Sequence, residues 1–200
     1  MNTYTIKKVS GQPDWSTVPA LSMDVCYAGE EHGITAGAQI PYDDEQLYVH
    51  LFSNETDLRT EEDGPLASSW LDSCLEFFFA PMEDKPHYIN IEMTAKPAML
   101  MAYGPNRYDR MRLIPSQETR GLEPVVNIRD DGWELFYQVP YSLLRILVPD
   151  FAPVSGQTMR ANCYKCGDKT DHYHLLSWNP VNLKPTGYHT PQDFGMMVFE

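Results

Sequence analysis

Two of the four tryptophans stand where a predicted strand meets a loop. Trp70 precedes the first strand of a predicted pair, and Trp178 follows a short strand just before an Asn-Pro step. Loops at strand ends often carry binding residues. An indole ring can stack on the flat C–H face of a sugar, whose hydroxyl groups then need partners such as the carboxylate of Glu76. These residue types and positions predict carbohydrate binding.

The strand predicted over residues 158–165 offers further polar groups. Arg160, Asn162 and Tyr164 alternate with apolar residues along it, and alternate side chains of a strand share one face of a sheet. Three hydrogen-bonding side chains on one face complement Glu76 chemically. The alternative is a cross-strand ion pair between Arg160 and Glu76 that only neutralises the sheet face.

Two glutamates allow a second, catalytic interpretation. A glycosidase needs two carboxyl groups on either side of the bond that it cleaves. Glu76 and Glu92 lie on adjacent predicted strands, and the sequence does not determine their separation. The chain has no G-x-S-x-G, no Walker A loop and no H-E-x-x-H. A small glycan hydrolase is the alternative to a binding domain, and a structural interaction domain with every tryptophan in the core is the third hypothesis.

Four soft ligands lie close together near the C-terminus and suggest zinc. They are Cys163 and Cys166, in a C-x-x-C spacing, followed by His172 and His174. Residues three apart on a strand point to opposite faces, so both thiolates reach one ion only if the strand ends between them. Zinc is therefore not the favoured interpretation, and free thiols are expected for a protein in a reducing compartment.

Two alternating strands must position the two glutamates. Residues 72–79 and 88–94 alternate apolar and polar side chains, which predicts one face on a core and one free face. The core face would carry Leu75, Phe77, Phe79, Ile89, Ile91 and Met93, and the free face would carry Glu76, Asn90 and Glu92. This strand pair is the predicted platform of the site.

The rest of the chain predicts an all-β fold. A hairpin is expected from 125–129 and 133–139, with Trp133 in the core, and a short helix from 141–147. Other predicted strands are residues 4–9, 22–27, 35–41, 46–53, 99–103, 174–178 and 195–199. Many short strands, sixteen prolines and little helix indicate an antiparallel β-sandwich, jelly-roll-like, with one or two short helices. Residues 1–200 are interpreted as a single domain.

The amino-acid composition excludes some classes of binding partner. The formal net charge is −13, from 28 acidic and 15 basic residues, which argues against nucleic acid and against an anionic membrane as partners. The acidic excess is compatible with bound calcium. The sequence has no apolar run of the roughly 18 residues that a membrane span needs, and no signal peptide at its start. We expect a cytoplasmic protein, or a secreted one if a leader was removed.

Several segments together resemble the family 9 carbohydrate-binding modules and their relatives. The most specific are D-S-x-x-E-x-F-x-x-P at residues 72–81 and H-x-P-x-x-F-G at residues 189–195. The resemblance extends from about Trp15 to Glu200, and further segments that carry it are YDDEQLYVHLFSNE, HYINIEMTAKPAML, GWELFYQVPYSLL, RANCYKCGD and HLLSWNPV.

The resemblance implies a non-catalytic β-sandwich that binds glucans, xylans or short sugars, in some members with structural calcium. Two tryptophans of such modules hold a terminal sugar between them, helped by a glutamate and an arginine. Trp70 and Trp178 match the tryptophans, Glu76 matches the glutamate, and Arg107 or Arg160 matches the arginine. The predicted ligand-binding residues are therefore Trp70, Trp178, Glu76, Arg107, Arg160 and Asn162.

Overall fold

The computed structural model describes residues 1–82, 84–96, 98–114, 122 and 124–200. Its strands are β1 (Thr3–Ile6), β2 (Leu21–Ser22), β3 (Val25–Ala28), β4 (Ala36–Gln39), β5 (Gln46–Ser53), β6 (Cys74–Ala80), β7 (Tyr88–Thr94), β8 (Met99–Gly104), β9 (Met111–Leu113), β10 (Val125–Arg129), β11 (Gly132–Pro140), β12 (Thr158–Cys166), β13 (Leu175–Ser177) and β14 (Gly195–Phe199). The helix α1 spans Tyr141–Leu147, and short 3₁₀ helices span Trp15–Thr17, Glu30–His32, Ser69–Leu71 and Pro191–Asp193.

The strands form two sheets. The larger sheet has the order β1-β14-β12-β6-β7-β8-β9, and β13 joins β3 to β12 at its side. The smaller sheet has the order β10-β11-β5-β4-β2. The described strands pair antiparallel except β1 and β14, which pair parallel. This confirms the predicted all-β sandwich with one short α-helix. No helix in the described part of the chain is long and apolar enough to cross a membrane.

The main core lies between the sheets and confirms the predicted inward faces. From the larger sheet it takes the six apolar residues predicted above. The smaller sheet contributes Leu47, Val49, Leu51, Leu135 and Val139. Trp133 is buried in the same core, as predicted, and its Nε1 donates a hydrogen bond of 3.2 Å to Glu55.

A buried polar network crosses this core. Lys165, the last inward residue of β12 before Cys166, places its Nζ 2.8 Å from a Glu55 carboxylate oxygen and 2.7 Å from His174 Nε2. Ser73 donates to Glu55 at 2.9 Å. Burial, together with the Lys165 charge, lowers the pKa of His174 to about 4, so the imidazole is neutral at pH 7. The charges of Lys165 and Glu55 compensate each other inside the sandwich.

The outer face of β6 and β7 is not free, which corrects the prediction for this face. Residues 179–194 fold back over it and bury a second apolar cluster, which includes Phe78, Tyr88, Tyr164, Tyr188 and Phe194. Tyr188 stacks on Tyr164 with ring centroids 4.0 Å apart and donates a hydrogen bond of 3.3 Å to the Lys165 carbonyl oxygen. The covering segment has no strand-like alternation, so the sequence pattern did not reveal it. It leaves one part of the sheet face open to a cleft that Glu76 and Glu92 line, although both side chains are only 2% exposed.

Candidate functional site

A cleft of about 470 Å³ opens on this accessible part of the larger sheet. Its walls combine carboxyl groups, arginines and aromatic rings. The lining residues are Trp70, Glu76, Glu92, Arg107, Tyr108, Arg110, Arg112, Cys166, Asp168, Leu175, Leu183, Gly187, Tyr188 and His189. The cleft therefore offers a stacking surface together with hydrogen-bond donors and acceptors.

Glu76 and Glu92 form the floor of the cleft. They stand directly opposite each other in the antiparallel pairing of β6 with β7, and the strand alternation turns both outward. Glu92 Oε1 accepts a hydrogen bond of 2.9 Å from Asn90 and lies 4.0 Å from Arg110 Nη1. Glu92 is only 2% exposed, yet its Oε2 has no hydrogen-bond partner among the described residues. Such a buried acceptor costs about 1–3 kcal/mol when left unpaired.

The two carboxyl groups hold protons at unusually high pH. Burial raises the pKa of Glu76 to about 7. Burial and then the neighbouring charge of Glu76 raise the pKa of Glu92 well above its ordinary value. Two close carboxyl groups in a dry site do not both ionise readily. Near pH 7 the pair can therefore supply both an acceptor and a protonated donor.

Trp70 is half-buried at one wall, on the 3₁₀ helix Ser69–Leu71. Its carbonyl oxygen accepts a hydrogen bond of 3.1 Å from the Asp168 backbone, and the Leu71 carbonyl oxygen accepts one of 3.0 Å from Lys169. These two bonds tie the loop of Trp70 to the loop after β12. Burial raises the pKa of the Asp168 carboxyl at the same rim.

The loop after β8 supplies a second group of lining residues. The Asn106 side chain accepts hydrogen bonds of 2.9 Å from the backbone of Tyr108 and of Asp109, which closes a tight turn. Gly104 allows the loop to fold back, since a Cβ there would lie 2.3 Å from the Asp109 carbonyl oxygen. The turn leaves the Tyr108 side chain 77% exposed beside the cleft.

Arg110 is held in place by the sheet and by the covering segment. Its Nη1 donates a hydrogen bond of 2.8 Å to Asn90 and lies 3.3 Å from His189 Nδ1. Tyr88 Oη lies 2.8 Å from the same His189 nitrogen. Burial, with the charges of Arg110 and Arg107, lowers the pKa of His189 to about 2. A neutral imidazole is therefore packed against the guanidinium group.

The structure brings three of the six predicted ligand-binding residues to the cleft. These are Trp70, Glu76 and Arg107. Trp178 is a correction: its indole is 5% exposed, belongs to the main core and meets Tyr4 edge-on with ring centroids 6.5 Å apart. Trp178 does follow a strand, as predicted. However, β1 pairs with β14 next to the indole, and the two strands cover it. The predicted tryptophan pair is not formed.

Asn162 and Arg160 also lie outside the cleft lining. Asn162 is fully buried, and its side chain makes two hydrogen bonds to the backbone of Asn179. It donates to the Asn179 carbonyl oxygen at 2.9 Å and accepts from the Asn179 N–H at 2.9 Å. Arg160 donates to the Pro191 carbonyl oxygen. It stands opposite Ala80 rather than Glu76 in the sheet, so the alternative Arg160–Glu76 ion pair is also corrected.

The cysteines and histidines whose spacing suggests zinc, an interpretation that the sequence does not favour, are not brought together. Cys163 faces the main core, whereas Cys166 faces the cleft side of the same strand. His174 binds Lys165. His172 lies at the surface, where its ring is 4.8 Å from the ring of His32. The strand ends only after Cys166, which is why the C-x-x-C spacing separates the thiols.

Sequence reasoning missed several lining residues as binding groups. They are Glu92, Tyr108, Arg110, Arg112, Asp168, Tyr188 and His189. Glu92 was considered only as a catalyst, although its outward position beside Glu76 follows from the same alternation. His189 begins the H-x-P-x-x-F-G motif, which was a usable signal. Tyr108 lies in an irregular loop, and no periodicity marks it.

Comparisons with known proteins agree with this architecture. A candidate carbohydrate-binding protein from Bacteroides uniformis is 24% identical, with a TM-score of 0.81 over 99% of each chain. A family 9 carbohydrate-binding module from Caldicellulosiruptor kristjanssonii, solved with cellotriose, is 11% identical, with a TM-score of 0.72 over 100% of this chain and 94% of that one.

The same kind of module from that organism, solved with glucose, is 12% identical, with a TM-score of 0.67 over 100% of this chain and 96% of the other. No curated protein matches the sequence. The model of carbohydrate-binding family 9 matches residues 35–199. Because that match covers most of the sandwich and both glutamates of the cleft, the chain belongs to carbohydrate-binding family 9.

Proposed function

We propose that the cleft over β6 and β7 binds carbohydrate, with one sugar ring stacked on Trp70 and its hydroxyl groups bonded to Glu76 and Glu92. The observation that carries the proposal is the buried, unpartnered Oε2 of Glu92 on the cleft floor. A hydroxyl group of a bound sugar would satisfy this oxygen, either by donating to the carboxylate or by accepting from the protonated carboxyl group.

Tyr108 is the second aromatic group that we assign to the ligand. It replaces Trp178, whose indole lies in the core. The ring of Tyr108 is exposed at the cleft, and aromatic rings bind the apolar faces of sugars while tolerating water at their edges. A single tryptophan with an exposed tyrosine suits the end of a short sugar chain better than a long polymer surface.

The charged groups suit a ligand rich in hydroxyls. Arg107 donates one hydrogen bond of 3.3 Å to the Thr186 carbonyl oxygen, and its other N–H groups make no hydrogen bond to the described residues and face the cleft. A glutamate pair that carries a proton near pH 7 both donates and accepts. Vicinal hydroxyl groups of a sugar need this mixture.

The arrangement of the two glutamates favours binding without cleavage. A glycosidase places its two carboxyl groups on either side of the scissile bond. Glu76 and Glu92 stand side by side on one sheet face, so both contact a ligand from the same side. Glu76 and Glu92 therefore cannot lie on opposite sides of a scissile bond, as the hydrolase alternative requires.

Titration of the protein with glucose, cellobiose and xylobiose, followed by tryptophan fluorescence, tests the proposal. We expect saturable binding by the native protein, weakened about tenfold or more in Trp70→Ala because the stacking surface is lost. Trp15→Ala is the matched control, since Trp15 is also half-buried but lies against His50 and Phe136 of the other sheet. Trp15→Ala should bind sugar normally.

Two results would contradict the proposal. One is the absence of any response across a broad panel of sugars, measured on folded protein. The other is equal binding by the native protein and Trp70→Ala. Release of a chromophore from aryl-glycosides by the native protein, abolished in Glu76→Gln, would support the hydrolase alternative instead.

A further inference from the structure

Two cysteines and a glutamate meet beneath the cleft floor. Cys74 on β6 stands directly opposite Cys166 on β12. Cys166 Sγ lies 3.0 Å from Glu76 Oε1, and Cys74 Sγ lies 3.9 Å from the same oxygen. The three ligand atoms are all within 4.8 Å of one another, and all three side chains are buried.

One of these two sulfur–oxygen separations is shorter and the other is longer than the spacing around a bound zinc ion. Zinc–sulfur bonds of about 2.3 Å and zinc–oxygen bonds of about 2.1 Å place tetrahedral ligands roughly 3.6–3.8 Å apart. Small side-chain rotations would bring the two thiols and the carboxylate to that spacing. Soft thiolates with one carboxylate select zinc or cobalt over calcium and magnesium, which prefer sites made only of oxygen.

The cluster adjoins the cleft and the second buried glutamate. Glu92 is the direct cross-strand neighbour of Glu76, and its buried Oε2 is unpartnered among the described residues. Glu76 and Cys166 line the cleft and Cys74 lies behind them, so an ion reaches the cluster from the cleft through two of its three ligands. The side of the cluster that faces the cleft stays open.

We propose that Cys74, Cys166 and Glu76 bind one zinc-type divalent ion, with a fourth position open to the cleft. A water molecule or a ligand hydroxyl group can occupy that position. This site differs from the zinc set suggested by the C-x-x-C motif of Cys163 and Cys166, because only Cys166 belongs to both. The inference does not rest on the proposed function, since metal binding is measured without sugar.

Metal binding at this site must release protons. The thiolate is the metal ligand. Burial raises the pKa of the Cys74 thiol to about 12, and the side-chain hydrogen bond with Cys74, together with burial, raises the pKa of Cys166 well above its ordinary value. Two thiol protons therefore leave as the metal–sulfur bonds form, and a proton on Glu76 leaves as its carboxylate binds the ion. The apparent affinity should rise with pH.

Cobalt(II) titration of chelator-free protein kept reduced with a phosphine tests the proposal. We expect one ion per chain, a thiolate-to-cobalt charge-transfer band, and displacement of cobalt by zinc. The band should vanish in Cys74→Ser and Cys166→Ser, and the affinity should fall at least ~10-fold in Glu76→Gln. Cys26→Ser, at the surface, and Cys163→Ser, on the core side of β12, should retain the band.

Circular dichroism spectra establish that each variant is folded, and Glu76→Gln gives a readout that does not depend on removing a cysteine. No cobalt binding by the folded native protein would overturn the proposal. Binding without a charge-transfer band would also overturn it, because the ion would then lie elsewhere, for example between His32 and His172. A band that survives in both cysteine variants would have the same consequence.

Discussion

The outer faces of the two sheets each carry a glutamate, an arginine and a half-buried tryptophan, but their chemistry differs. On the smaller sheet, Glu134 contacts His50 at 2.9 Å, accepts from Asn127 at 3.2 Å and pairs with Arg129. On the larger sheet, Glu92 keeps one buried oxygen without a partner among the described residues.

The volumes of the two depressions are nearly equal, about 450 Å³ over Glu134 and about 470 Å³ over Glu92. Size and residue types therefore do not distinguish them. The difference lies in whether the protein itself satisfies the carboxylate. A satisfied carboxylate stabilises the fold, whereas an unsatisfied one is available to a ligand.

The largest expected effect on stability comes from removing a buried ring from the second apolar cluster, where residues 179–194 cover the outer face of the larger sheet. Phe194 is buried, packs edge-on against Tyr88 and Phe78, and does not line the cleft. Phe194→Ala should lower the free energy of unfolding by about 3–5 kcal/mol, measured by urea denaturation. Tyr108→Ala, at the exposed rim, should change it by less than about 0.5 kcal/mol.

Equal losses in these two variants would contradict the comparison. The second apolar cluster would then contribute no more to stability than the exposed rim of the cleft.

The pH dependence of stability should report on the buried glutamate pair. The pKa of Glu76 is raised from about 4.3 in an unfolded chain to about 7 in the folded one. The folded state therefore holds a proton that the unfolded state releases, and stability falls as pH rises through this window, by up to ~1.4 kcal/mol per pH unit.

Thermal unfolding between pH 4.5 and 8, over the window set by those two pKa values, measures this fall. Glu76→Gln should make this fall shallower, and the part that remains comes from Glu92, whose pKa burial also raises. An identical slope in native protein and Glu76→Gln would mean that the buried pair does not retain its proton.

Much of the fold could be predicted from local patterns. The helix begins after Pro140 and spans Tyr141–Leu147 as expected, and strand β7 also has its predicted bounds. Alternation identified the inward faces because burial between two sheets acts on every second residue. These features depend on neighbours in sequence.

The errors concern contacts between distant segments. Trp178 was expected at the cleft, yet its surroundings depend on β1, which is about 175 residues away in the chain. The covering segment 179–194 is irregular and held by bonds such as those of Asn162 to Asn179. The separation of the two glutamates depends on the strand register, because the pairing of β6 with β7 places Glu92 directly beside Glu76.

Isothermal titration of sugar into two matched variants tests the central claim most directly. Because Glu92→Gln alters the unpartnered acceptor of the cleft, it should lower sugar affinity about tenfold or more, with native-like thermal stability. Glu134→Gln should bind sugar as the native protein does, while its stability falls by about 1–2 kcal/mol. Undiminished sugar binding by Glu92→Gln, or weakened binding by Glu134→Gln alone, would contradict the account.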